Sequence, residues 1–140
     1  MQRAAYVTEA QRYGQPGIPP LTETVAELRT DLAAGGVLAF GAWLGPRLIG
    51  AVRGRVDGAL MEVARFVVAP DQQGRGVGAA LLAAVQDAAP AQVRTFWLVT
   101  GARSADNLRF YRHAGYRVAG RTTDGAGVGL VRLERSRDPR

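Results

Sequence analysis

The spacing of apolar residues changes several times along this chain, and each change marks an element. Arg3 to Tyr13 has helical composition and stops at Gly14, and the prolines of Gln15 to Pro20 make a stiff loop. Leu21, Val25, Leu28 and Leu32 then share one helical face that ends at Gly35-Gly36. Thr24 and Glu27 have capping-box spacing near its start, with Leu21 and Thr22 as alternative starts. Strand-like runs follow at Val37 to Trp43, Arg47 to Arg55 and Leu60 to Ala69, punctuated by Gly45-Pro46 and by Asp57-Gly58, a hairpin signal. After Pro70 the period returns to a helix that starts near Arg75, carries Val77, Ala80, Leu81, Ala84, Val85 and Ala88 on one face, and stops before Pro90. Arg94 to Val99 reads as a strand. Ser104 to His113 reads as a short helix, capped by Ser104 and ended by Gly115. Tyr116 to Arg121 and Val128 to Arg135 read as strands around an Asp124-Gly125 turn. The order α-α-β-β-β-α-β-α-β-β predicts an α/β fold with a mixed sheet. A strand followed by a glycine turn and a helix marks the ligand end of such a sheet.

Length narrows this to one domain, residues 1–140, with 136–140 as a frayed tail, because 140 residues cannot build two cores. Apolar content of 47% against 21% charged residues describes a globular chain rather than a disordered one. No apolar run reaches membrane-spanning length, and MQRAAYVTEAQRYG lacks the apolar core of a signal peptide, so a cytoplasmic protein with no membrane partner is expected. The absence of cysteine excludes disulfides, thiolate metal sites and a cysteine nucleophile, and a single histidine, His113, excludes a multi-histidine metal centre. The net charge is +6 and every basic residue is arginine. Arginine grips phosphate bidentately, so an anionic partner is one reading and the usage of a GC-rich genome is the other. The arginines are spread along the sequence, which makes a nucleotide-bearing cofactor the expected anion and nucleic acid not.

The stretch Gln73 to Leu82, QGRGVGAALL, sets Gly74, Gly76 and Gly78 at the mouth of an amphipathic helix. A helix start leaves backbone N–H groups unpaired and its dipole favours negative charge, while glycine keeps side chains away from those groups. Together these describe a phosphate-binding turn. A Walker loop needs a lysine, and the chain has none. A Rossmann fingerprint needs G-x-G-x-x-G, where this chain has alternating glycines. What remains is Q-x-x-G-x-G, formed by Gln73, Gly76 and Gly78.

In context the chain resembles the GNAT superfamily of acyl-CoA-dependent N-acyltransferases over about Val37 to Arg135. RFVVAPDQQGRGVGAALL, Arg65 to Leu82, is similar to that family's fourth strand, pyrophosphate loop and third helix. NLRFYRHAGY, Asn107 to Tyr116, resembles its N-x-x-x-Y-x-x-x-G-aromatic signature. Two departures stand out. Family members begin with a strand that this sequence does not offer before its first helix. The open alternatives are that the strand is absent, that another element fills its place, or that the start is misassigned. An edge left open there suits pairing with a second copy, a homodimer. Gln72 also replaces the aromatic residue often found before the glycine run.

The resemblance implies acetyl-CoA as co-substrate, no metal, and a primary amine, most simply a small molecule, as acceptor. A protein amine, an aminoacyl-tRNA or a non-catalytic acyl-CoA sensor module are the alternatives. Gln73, Gly74 and the amides of Arg75, Gly76, Val77, Gly78 and Ala79 would hold the CoA pyrophosphate, against the plainer role of a tight turn. Val67 and Val68 would pair their backbone with pantetheine, the Val68 N–H also holding the thioester oxygen as charge develops. Asn107 would contact pantetheine, and Tyr111, four residues on, would protonate the departing thiolate. The plainer role for Tyr111 is packing beside Phe110. Glu62 stands eleven residues before Gln73, the spacing of the base glutamate in histone acetyltransferases of the superfamily. It would take the proton of the attacking ammonium, directly or through water, against the plainer role of an exposed strand glutamate or a partner for Arg53, Arg55 or Arg65. His113 is read as exposed and non-catalytic, and Trp43 and Trp97 as strand packing. Tyr6, Tyr13 and the Gln15 to Pro20 loop occupy the region that walls the acceptor site in relatives. Glu9, Glu23, Glu27 and Asp31 read as helix-surface charges.

Overall fold

Alternating turn and strand chemistry resolves into nine elements in the computed structural model, which describes residues 36–137. They are β1 (Val37–Leu44), β2 (Arg47–Asp57), β3 (Leu60–Val68), a 3-10 turn (Pro70–Gln72), α1 (Val77–Asp87), β4 (Thr95–Gly101), α2 (Ala105–His113), β5 (Arg117–Thr123) and β6 (Gly129–Ser136). The two helical segments before Gly35, the Gln15 to Pro20 loop, Tyr6, Tyr13, the four N-terminal carboxylates and the question of a first strand lie outside the described residues. The six strands form one mixed sheet in the order β1-β2-β3-β4-β6-β5. Every neighbouring pair is antiparallel except β3 and β4, which run parallel.

The helix α1 packs on β1, β2 and β3 because β2 makes room for it. A Cβ at Gly50 would stand 2.8 Å from Leu81 Cδ1, and one at Gly54 would stand 2.9 Å from Val85 Cγ2. Glycine inside a strand thus marks a close approach rather than a turn. The buried residues of α1 are Leu81, Leu82 and Val85. Ala80 and Ala88, expected on the buried face, are exposed. Alanine contributes little to choosing a face, and Leu82 draws the helix round toward itself. The core continues through Val52, Met61, Phe96, Leu98, Val131 and Leu133.

Several local expectations meet their physical test at the element ends. Gly115, at φ +94°, terminates α2, with the Tyr116 N–H donating to the Tyr111 carbonyl at 3.0 Å. Ser104 takes the N-cap position of α2, yet its hydroxyl makes no capping hydrogen bond. Trp43 does not pack: it is 64% exposed at the end of β1. β6 runs through Ser136, and the Arg137 guanidinium donates to the carbonyls of Ala89, Pro90 and Val93, capping the C-terminal end of the α1 region.

Candidate active site

The parallel seam between β3 and β4 is short. It pairs Leu60 with Thr95, Met61 with Phe96 and Glu62 with Trp97, and no further. Beyond that rung β3 continues to Val68 and β4 to Gly101 without pairing, so the sheet opens between them. A β-bulge helps to turn β3 away. Ala51 pairs with Val67 but Arg53 pairs with Ala64, which leaves Arg65 and Phe66 together opposite Val52. Arg65 has φ +50°, a left-handed conformation uncommon for a residue with a side chain.

Backbone direction decides what faces the opening. The Ala69 N–H donates to the Ile49 carbonyl on β2 at 2.8 Å. Successive residues of a strand turn their polar groups to opposite sides, so the Val68 N–H and C=O point away from β2, into the opening. The groups of Val67 face β2. The Val68 carbonyl accepts a hydrogen bond from Gln73 Nε2 at 3.1 Å. The Gln73 side chain therefore ties the glycine turn to the end of β3.

That turn enters α1 through two left-handed glycines, Gly74 at φ +81° and Gly76 at φ +82°, the latter being the N-cap. A Cβ on either would meet nothing within 4 Å, so the turn fronts open space. No side chain caps α1. The first intrahelical bond is Ala80 N–H to Gly76 O, which leaves the N–H groups of Val77, Gly78 and Ala79 without helical partners at the positive end of the helix dipole. Gly78 sits lower, where a Cβ would lie 3.6 Å from the rings of both Phe66 and Phe110. These groups suit a ligand carrying several negative oxygens at the mouth of the opening.

The far wall comes from α2. Asn107 Nδ2 donates to Thr100 Oγ1 on β4 at 3.5 Å, and Tyr111 lies on the same helical face. Tyr111 belongs to a chain of edge-to-face rings running from Phe66 on β3 through Phe110 and Tyr111 to Tyr116, with neighbouring centroids 5.2–6.1 Å apart. The rings join the two sides of the sheet beyond the point where its hydrogen bonds part. Tyr116 itself is buried, donates to Gln86 Oε1 at 2.6 Å, and has its phenol pKa raised by burial.

Glu62 sits at the last rung of the seam. Its carboxylate lies 3.6 Å from the Arg55 guanidinium, the pairing partner directly across β2. Trp97, opposite it on β4, is covered by Arg132, whose guanidinium carbon is 4.1 Å from the ring centroid while its Nε donates to Glu134 at 2.9 Å. Glu62 and Val68 are six residues apart on β3, with the bulge at Arg65 and Phe66 between them. His113 is exposed at the end of α2.

One anchor of the turn escaped the sequence reading. Arg47, at the start of β2, grips Asp71 bidentately, NH1 to Oδ2 at 2.7 Å and NH2 to Oδ1 at 2.6 Å. Gln72, where an aromatic residue was expected, is buried and donates to the same carboxylate at 3.2 Å. Arg47 and Asp71 are 24 positions apart, and no local signal connects them. The ring pairing of Phe66 with Phe110 was equally invisible, although both are apolar residues beside named site positions.

Comparison with known proteins adds the family. The model for the acetyltransferase (GNAT) domain matches residues 9–136. No curated protein matches the chain. The PaiA N-acetyltransferase of Thermoplasma acidophilum, solved in complex with coenzyme A, superposes with a TM-score of 0.77 at 15% identity, covering 97% of this chain and 88% of that one. The ribosomal-protein-S18-alanine N-acetyltransferase of Escherichia coli gives 0.73 at 18% identity, covering 81% and 77%. A GNAT family acetyltransferase of Elizabethkingia anophelis with acetyl-CoA bound gives 0.65 at 18% identity, covering 81% and 83%. At such identities the structural likeness carries the fold.

Proposed function

The chain belongs to the GNAT acetyltransferase family and is an acetyl-CoA-dependent acetyltransferase; from that premise we propose that it moves the acetyl group directly onto a primary amine in the opening between β3 and β4. The observation that carries this reading is the Val68 N–H turned into an opening whose mouth is the uncapped start of α1. The amides of Val77, Gly78 and Ala79, with those of Arg75 and Gly76 before them, bind the pyrophosphate. Gln73 acts through its hold on the Val68 carbonyl rather than by touching phosphate. Asn107 orients the pantetheine arm.

As the amine nitrogen attacks the thioester carbonyl, a C–N bond forms and negative charge grows on the oxygen, where the Val68 N–H stabilises it. The C–S bond then breaks, and the Tyr111 hydroxyl gives its proton to the leaving thiolate. Glu62 takes the proton lost by the ammonium. A bridging water carries that proton to its carboxylate. With no cysteine in the chain, no acyl group rests on a thiol between donor and acceptor.

Tyr111→Phe tests the assignment, since it removes the hydroxyl and leaves the ring in its aromatic chain. A kcat reduced by about 100-fold or more with KM for acetyl-CoA unchanged is the expected result, and a kcat within about twofold of wild type overturns the acid role. The acceptor is a small amine on the simplest reading. An amine carried by a macromolecule is the second, favoured by the exposed basic run on α2 and β5. Following thiol release from acetyl-CoA across panels of amines, peptides and charged tRNA separates the two.

A further inference from the structure

The positive charge of this protein is not where an even spread of arginines would leave it. Residues 1–93 hold eight arginines and eight carboxylates, whereas residues 94–140 hold ten arginines and four carboxylates. The whole net charge of +6 thus belongs to the last third of the chain. Within it, residues 107–123 contain Arg109, Arg112, His113, Arg117 and Arg121 and no carboxylate at all.

All five of these side chains are exposed. Arg109, Arg112 and His113 occupy the outward face of α2, where with Ala105 and Leu108 they line a hollow of about 470 Å³. Arg117 and Arg121 follow on β5, the last strand of the described sheet, after a turn of three residues, Ala114 to Tyr116; the bulge between Val118 and Gly120 sets them on opposite faces of that edge, Arg117 across from Glu134 and Arg121 across from Val131. Other arginines of this region have structural work: Arg132 covers Trp97 and Arg137 caps the α1 region. Arg112, Arg117 and Arg121 make no side-chain ion pair with a described residue. Arg109 holds only an exposed i,i+3 pair with Asp106 at 3.2 Å, a kind of contact that contributes little. Charges on an edge strand discourage sheet-to-sheet association, but that purpose accounts for β5 and not for α2.

We propose that the outward face of α2 and the β5 edge form a docking surface for the phosphodiester backbone of a nucleic acid. Guanidinium groups spaced along a helix and a strand edge suit phosphates, which they contact without reading sequence. An acidic protein is the weaker fit, because protein interfaces are anchored by clustered aromatic or large aliphatic side chains, and here a single valine, Val118, is exposed among the arginines. The surface lies on the face of α2 opposite Asn107 and Tyr111, so a docked strand would leave the donor opening uncovered. Binding does not depend on acetyl transfer, and its failure would leave the proposed chemistry untouched.

Fluorescence anisotropy with a labelled single-stranded RNA, and in parallel a DNA duplex of the same sequence, tests this on the full chain. Neutralising three to four phosphates should weaken RNA binding about 20- to 50-fold between about 50 and about 200 mM salt. The combined change Arg109→Gln, Arg112→Gln, Arg117→Gln and Arg121→Gln should cost at least about tenfold, and the exposed Arg94→Gln less than about twofold. Should the combined variant melt early, the single Arg112→Glu gives the same reading through its shallower salt slope. Both nucleic acids binding, or either alone, supports the surface and identifies the source of the phosphates. The proposal is overturned by absent binding, by loss no greater in the combined variant than in Arg94→Gln, by displacement with saturating acetyl-CoA, or by a glutamate-rich peptide that competes as well as RNA.

Discussion

The two halves of the sheet are built alike and equipped differently. β1-β2-β3 and β4-β6-β5 are each antiparallel three-stranded units, and a parallel seam of three rungs joins them. The first half meets the opening with main-chain groups: the Val68 N–H, the glycine turn and the bare start of α1. The second meets it with side chains, Asn107 and Tyr111, and carries the charge surplus on its outer surface. A ligand common to a family can be gripped by backbone, whose geometry survives changes of residue. Whatever distinguishes this chain from its relatives has to be written in side chains.

The comparison breaks most sharply at Gly76. Valine there would have to adopt φ +82°, at a cost of about 1–2 kcal/mol, and would put its branches into the space fronting the turn. Calorimetry should find acetyl-CoA affinity reduced by at least about 100-fold. Full affinity in a folded Gly76→Val protein would show that the backbone half is not the donor site. Glu62→Gln probes the seam itself. It should remove the acidic limb of the pH–rate profile and lower kcat by about tenfold or more at neutral pH, while an unaltered profile reduces Glu62 to the partner of Arg55.

Asp71→Asn has the smallest effect and sharpens the picture of how the turn is held. Loss of the Arg47 grip should raise KM for acetyl-CoA by about two- to fivefold with kcat intact, since the pair is exposed and contributes little to global stability. The Arg47 hydrogen bonds, helped by that from Gln72, hold the Asp71 carboxyl well below its usual value of 3.8. A folded pKa below the unfolded one gives stability that is complete above the usual carboxylate range and is lost as pH falls through and below it. Wild type should therefore lose melting temperature on acidification more steeply than Asp71→Asn. Parallel curves would mean that the pair does not constrain the turn.

Much of this arrangement is legible in the residue order because its causes are local. Glycine at 74 and 76 answers a left-handed backbone, Asp57-Gly58 a two-residue hairpin turn, and Gly115 a helix stop. The order of strands and helices from Val37 onward follows from period and punctuation alone. Facing is harder to read. Ala80 and Leu82 differ by a rotation that only Gly50 and Gly54, some thirty residues earlier on β2, help to fix. The bulge at Arg65 moves the partners of β3 by one residue, and nothing in RFVV announces it. The charge asymmetry needed no structure at all, only the carboxylates counted alongside the arginines; its exposure on α2 and β5 did.

Mutation rewrites side chains and seldom touches the main chain. At Val68, almost any replacement keeps the N–H that faces the opening, and proline alone deletes it. On the proposed reading, a donor site assembled from such groups is shielded from most of the substitutions a gene accumulates. Sequence can drift far around it before the grip on the donor is lost, while the walls that choose the other reactant stay free to change.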